Sequence, residues 1–185
     1  MQTTELAEPK TTTLHSRLKH DMPLTLGSEQ SVMLYRRYFT RADNALYMST
    51  KVLRMQRRLE EAQKNASMID SLILQFLSEI ESTTATLNQA YQANRPAGCE
   101  SFAYENNAQF QAACSTHHSV KLLNVYEKLD RLMGLCDALE IIGQLPPDSA
   151  GKLVDSWVHR FRQFCSKINE IRTLSFPSKK AKAAE

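Results

Sequence analysis

The sequence is poor in the residues that interrupt helices, with 5 glycines and 6 prolines among 185 residues. None of them falls between Gly27 and Pro96. Turns and strand corners favour such residues, so their scarcity is what a mostly helical chain would show. No run of 18 uninterrupted apolar residues occurs, and nothing reads as a membrane-spanning helix. The residues Met1 to Pro9 show neither the basic start nor the apolar run of a secretory signal, so a cytoplasmic location is expected. The four cysteines, Cys99, Cys114, Cys136 and Cys165, form no CxxC pair and read as free thiols, mostly buried. Also missing are the GxSxG, HExxH, P-loop, Rossmann and paired Glu-x-x-His patterns, so enzymatic activity is not expected.

What the sequence does hold is helical periodicity. From Ala45 to Asn94, apolar or small residues recur in steps of three and four: Ala45, Met48, Val52, Met55, Leu59, Ala62, Ala66, Ile69, Ile73, Phe76, Ile80, Thr83, Leu87 and Ala90. That pattern predicts a helix of about fifty residues, roughly 75 Å long. Two further ladders are Leu122, Val125, Leu129, Leu132, Cys136, Leu139 and Ala150, Val154, Trp157, Phe161, Phe164, Ile168, Ile171. Both are shorter than the first, so Val52, Met55 and Leu59 are expected to need a partner from outside the chain.

Net charge is only +3, but it is unevenly placed. Residues 10–64 hold eleven Lys/Arg against five Asp/Glu, whereas residues 65–150 hold four against ten. A basic amino-terminal third on a nearly neutral chain points to a polyanion site there.

In chain order, residues 1–9 read as a disordered tail. Lys10 to Lys19 alternates, with Thr12, Leu14, Ser16 and Leu18 on one side and Thr13, His15, Arg17 and Lys19 on the other. This is read as a strand with a basic outer face, paired with its copy in a second subunit. His20 to Gly27 is read as a connection. Ser28 then caps a helix that carries Val32, Met33, Tyr35 and Phe39 on one side and Arg36 and Arg37 on another. Thr40 and Asp43 have the spacing of a capping box, which predicts a new helix from Arg41. The alternative is one helix continuing from Ser28.

Strand, short helix and longer helix in this order resemble the ribbon-helix-helix DNA-binding fold. The resemblance implies base contacts from Thr13, His15, Arg17 and Lys19, whose side chains suit base edges in the major groove. It implies phosphate contacts from Thr40 and Arg41, through the free backbone N–H groups of a helix start. Arg36 and Arg37 join the phosphate-contacting set by their place on the basic side of the first helix.

Arg95 to Gly98 ends the long helix, and Cys99 to Ser115 is read as an irregular link anchored by Phe102, Tyr104 and Phe110. His117-His118 opens the next helix without a third ligand in pattern, so no metal site is expected there. Asp130 and Arg131 are read as a structural pair on the helix surface. Gly143 closes this helix, and Asp148 or Ser149 caps a last one that runs to about Leu174.

The helix from His118 to Gly143 contains Leu129-Asp-Arg-Leu132, then Asp137, Leu139 and Gly143, and is followed by a helix with a central Trp157. Over residues 115–174 this is similar to the AcaB-like transcriptional activators of conjugative plasmids. That family often has Trp where Glu140 or Ile141 stands here. The resemblance implies a bacterial, DNA-binding activator of transfer genes.

The sequence is therefore expected to give a mainly α fold with a ribbon-helix-helix-like start. Residues 10–64 would form the ribbon-helix-helix-like DNA-binding and dimerisation region, residues 65–174 a helical bundle, and residues 175–185 a basic disordered tail. Expected partners are double-stranded DNA and a second copy, with RNA polymerase a further candidate. No cofactor, membrane or small molecule is expected. The rival expectation is a helical scaffold of a conjugation system without specific DNA readout.

Overall fold

The computed structural model describes residues 17–98 and 101–176. Its elements are β1 (His20–Leu26), α1 (Glu29–Tyr47), a π-helical stretch (Met48–Val52), α2 (Leu53–Met55), α3 (Leu59–Asn94), β2 (Ala108–Cys114), α4 (His117–Ile141) and α5 (Pro147–Ser175). The fold is mainly helical, with a two-stranded antiparallel sheet against the helices. Among the described residues no helix is long and apolar enough to cross a membrane.

The strand read over residues 10–19 falls almost entirely outside the described residues, whereas His20 to Gly27, read as a connection, holds the strand β1. Residues 1–16 lie outside the described residues, residues 17–19 are irregular, and pairing starts at His20. The partner of β1 is β2 of the same chain, from His20↔Cys114 to Leu26↔Ala108. Leu24, Leu26, Ala112 and Cys114 turn inward and are buried, while Asp21, Pro23 and Thr25 stay exposed. Each strand of a two-stranded sheet keeps one open edge, and this tolerates Pro23 within β1. The expected irregular link from Cys99 to Ser115 therefore contains a strand, although its aromatic residues are anchors. Phe110 lies 4.5 Å from the Tyr35 ring, and Phe102 lies edge-on to Tyr91 at 5.5 Å.

Ser28 caps α1, its hydroxyl accepting from Ser31 N–H at 3.2 Å. The turn before it is clamped from α4, because Asp130 accepts from Gly27 N–H (3.0 Å), Ser28 N–H (2.8 Å) and the Ser28 hydroxyl (2.8 Å). Asp130 is thus structural, but through this turn rather than through Arg131. Gly27 has no alternative here, since a Cβ would come within 2.1 Å of the Tyr104 ring.

The new helix predicted from Arg41 is absent, and α1 runs unbroken past it. The Asp43 carboxylate does not reach back to Thr40 as a capping box requires. It is buried and accepts from Ser115 N–H (3.0 Å), Ser115 Oγ (2.9 Å) and Ser119 Oγ (2.6 Å). The break comes later, at Gln56–Arg58, and divides the expected fifty-residue helix. Arg57 adopts φ +60°, with Arg57 N–H bonded to Arg54 O and Arg58 N–H to Leu53 O. This is a Schellman ending with Arg in the left-handed position that Gly usually fills.

After this corner α3 folds back, and Asn65 Nδ2 donates to Ser49 O at 3.2 Å and to Ser175 Oγ at 2.9 Å. Side-chain pairs fix the helix directions. Lys121 meets Asp70 and Lys128 meets Glu81, so α3 and α4 run parallel. Ser28 and Ser31 meet residues near Met133 while Asp43 meets Ser119, so α1 runs against α4. Phe76 stacks on Phe164 and Asn65 reaches Ser175, so α5 runs against α3. The β2-bearing link from Arg95 to Thr116 returns the chain and allows α3 and α4 to be parallel. One apolar core joins β1, α1, α3, β2, α4 and α5, with Trp157, Phe161 and Tyr126 among its largest fully buried side chains. A second cluster ties Tyr91 to Leu135, Ala138 and Leu139. Cys114, Cys136 and Cys165 are free and buried, as expected. Burial pushes the Cys165 thiol up to about 12, and those of Cys114 and Cys136 to about 11.

Candidate nucleic-acid interface

The inner face of α1 is committed to aromatic packing. Tyr35 stacks on Phe39 at 5.0 Å and meets Tyr126 edge-on at 5.5 Å. One helical step around, Arg36, Arg37, Thr40 and Arg41 share the exposed face, as i, i+1, i+4 and i+5 must. Arg36 lies 5.8 Å from the Phe110 ring and Arg37 5.6 Å from the Tyr38 ring. These contacts steady the arginine stems without neutralising the guanidinium groups.

Because α1 is continuous, Thr40 and Arg41 do not offer the free N–H groups of a helix start. Their side chains alone face outward, which removes the backbone route to phosphate that a new helix would have provided. Beside Arg41, α5 contributes Arg162 across a cleft of about 200 Å³, with Tyr38, Cys165, Ser166 and Asn169 on its walls. Asn169 Oδ1 is buried there without a hydrogen-bond partner. Sequence reading missed Arg162, which stands more than a hundred residues from Arg41. Packing of α5 on α1, including Tyr38 on Phe161 at 6.1 Å, brings the two together.

The base-contacting set fares differently. Thr13 and His15 lie outside the described residues. Lys19 is exposed. Arg17 points into the chain: Nη2 donates to Asp43 Oδ2 at 2.6 Å and to Asp43 O at 3.1 Å, and Nη1 donates to Asn44 Oδ1 at 3.1 Å. The guanidinium lies 4.1 Å from the Tyr47 ring centre. The structure thus brings Arg36, Arg37, Thr40 and Arg41 together and holds Arg17 on another part of α1.

A second polar group sits where α3 meets the start of α4. Asp70 Oδ1 accepts from Lys121 Nζ at 2.7 Å and lies 3.5 Å from His118 Nε2. The His117 and His118 rings are 3.7 Å apart. Burial lowers the His118 imidazole to about 4, so it is neutral near pH 7. Burial would raise Asp70, but the Lys121 bond and the charges of His118, Lys121 and His117 bring it below the ordinary carboxylate range.

No protein-family model matches the sequence, and no curated protein matches it. Among solved structures, the crystal structure of selenomethionine-containing AcaB from uropathogenic E. coli matches with a TM-score of 0.79. The match covers 91% of this chain and 86% of that one at 22% identity. The chain has an AcaB-like fold. At this identity the likeness is one of architecture.

Proposed function

We propose that this AcaB-like chain is a DNA-binding transcriptional regulator that activates conjugative-transfer genes as a homodimer. The observation that carries the reading is the exposed row Arg36, Arg37, Thr40 and Arg41 on α1, extended by Arg162 across the cleft. Guanidinium groups on a rigid helix can each pair with a phosphate oxygen, and several in a row follow a backbone rather than one small anion. The resemblance of residues 115–174 to AcaB-like activators supports the regulatory assignment. Met55 and Leu59 support the dimer, being 64% and 63% exposed at the α2–α3 corner where an external partner was expected.

Gel-shift titration on random and selected duplexes at two salt concentrations tests the reading. Specific binding should persist at the salt where random binding fails. Arg36→Ala and Arg41→Ala should weaken binding evenly across sequences and flatten the salt slope by about one unit each. Equal loss of all binding at moderate salt would favour the second reading, a scaffold without specific readout. The groove between α3 and α5 favours that reading, with Met68, Leu72, Ile171 and Leu174 among its walls.

A further inference from the structure

We propose that Asp70, His117 and His118 form a binding site for a divalent transition ion of the Zn²⁺ class, joining α3 to the first turn of α4. Nitrogen and carboxylate atoms of the three residues all lie within 4.8 Å of one another. His118 is decisive. Its side chain is 1% exposed, yet both ring nitrogens lack a hydrogen-bond partner. A buried imidazole normally satisfies at least one nitrogen, whereas here Nε2 faces the Asp70 carboxylate at 3.5 Å without a hydrogen bond, which leaves the ring able to take an ion.

The spacing fits. Four ligands around Zn²⁺ at about 2.0–2.2 Å place neighbouring donor atoms roughly 3.4 Å apart. His118 Nε2 and Asp70 Oδ1 stand 3.5 Å apart, the edge such a tetrahedron needs. His117 lies on the exposed side, its ring 3.7 Å from that of His118 and its ligand atom within the same 4.8 Å group, so it is the candidate for the third corner. The fourth corner is left to water or an external ligand. Two imidazoles and one carboxylate suit a borderline ion better than Ca²⁺ or Mg²⁺, which take oxygen donors.

Lys121 competes for the same site. Its ammonium bonds the Asp70 oxygen that would face the ion, at 2.7 Å, and must swing away when the ion enters. The positive end of α4 opposes the ion as well, so moderate rather than extreme affinity is expected.

Isothermal titration of the full chain with Zn²⁺, backed by Co²⁺ binding read from the visible bands of tetrahedral cobalt, tests the proposal. One ion per chain is expected. Asp70→Asn and His117→Ala, at partly or fully exposed positions, should each weaken binding by roughly tenfold or more. Lys121→Met should tighten it several-fold, and far-UV circular dichroism checks that each variant folds. No stoichiometric binding by the unmodified chain would overturn the proposal. So would unchanged affinity in Asp70→Asn and His117→Ala, which would place the ion elsewhere. Binding no tighter in Lys121→Met would overturn the competition.

Discussion

Asp43→Ala should be among the most damaging polar substitutions in this protein. The residue is 3% exposed, and its carboxylate joins three parts of the chain. It takes Arg17 Nη2 at 2.6 Å from the amino-terminal segment, Ser115 N–H at 3.0 Å from the end of β2, and Ser119 Oγ at 2.6 Å from α4. Removing one partner of a buried ion pair costs about 3–5 kcal/mol. An orphaned buried backbone N–H, here that of Ser115, adds about 1–3 kcal/mol. Two features reduce the total. Ser119 Oγ keeps Thr116 Oγ1 at 2.8 Å, and the Arg17 side chain, 19% exposed, can turn towards water. The expected loss is therefore about 4 kcal/mol, a large fraction of the 5–15 kcal/mol typical of a domain. Urea unfolding at constant m value measures it. A cycle with Arg17→Met isolates the ion pair, and the double variant should cost about 1–2 kcal/mol less than the sum of the singles. A loss below about 1 kcal/mol in Asp43→Ala, or full additivity, would refute the reasoning. The same Arg17→Met protein bears on DNA binding: if discrimination between duplexes survives, Arg17 serves the fold and not the bases.

Trp157→Ala should cost about 3–5 kcal/mol, because the ring is 2% exposed and meets Phe76 edge-on at 5.9 Å; unchanged thermal unfolding would contradict its place in the core. Arg57→Gly should stabilise by about 1 kcal/mol in urea unfolding, since Gly adopts the left-handed backbone that costs a side chain energy. Gly27→Ala should do the opposite, its Cβ meeting Tyr104 and loosening the turn that Asp130 holds, seen as a lower melting temperature. His118, at about 4 when folded and about 6.5 when unfolded, binds its proton more readily in the unfolded chain. Its contribution is present above pH 6.5 and is lost as pH falls towards 4, by about 3 kcal/mol at most. Urea midpoints with chelator present should show this slope, and His118→Gln should lack it.

The helices were legible wherever periodicity was long and its end was chemical. The ladders of α4 and α5 are buried nearly residue for residue, and α4 is closed by Gly143, at φ +73° just past its last turn. Boundaries failed where a local signal had a distant explanation. Thr40 and Asp43 carry the letters of a capping box, but Asp43 is claimed by Ser115 and Ser119, more than seventy residues away. The real corner at Arg57 carried no glycine, so nothing in the sequence marked it. β2 was missed for a similar reason. Its alternation is short, and its register against β1 depends on a pairing across nearly ninety residues.

The candidate sites show the same division between local pattern and tertiary placement. Arg36, Arg37, Thr40 and Arg41 could be grouped from sequence because neighbours on a helix keep their spacing in any fold that preserves the helix. Arg162 and Asp70 could not, because each becomes a neighbour only through packing on another helix. Both placements depend on the start of α4. Asp43 grips it from α1 through Ser119 and Ser115, while Asp70 approaches it from α3 through Lys121 and His118. Tyr126, further along α4, meets both Tyr35 of α1 and Phe161 of α5, and so sets how the basic face of α1 sits beside Arg162. An ion bound at His118 would tighten the contact between α3 and α4 without touching an arginine. Any effect of that ion on DNA affinity would therefore have to pass through the seating of α1 and α5 on α4, and Asp43→Ala, which loosens the same seating from the other side, should weaken it.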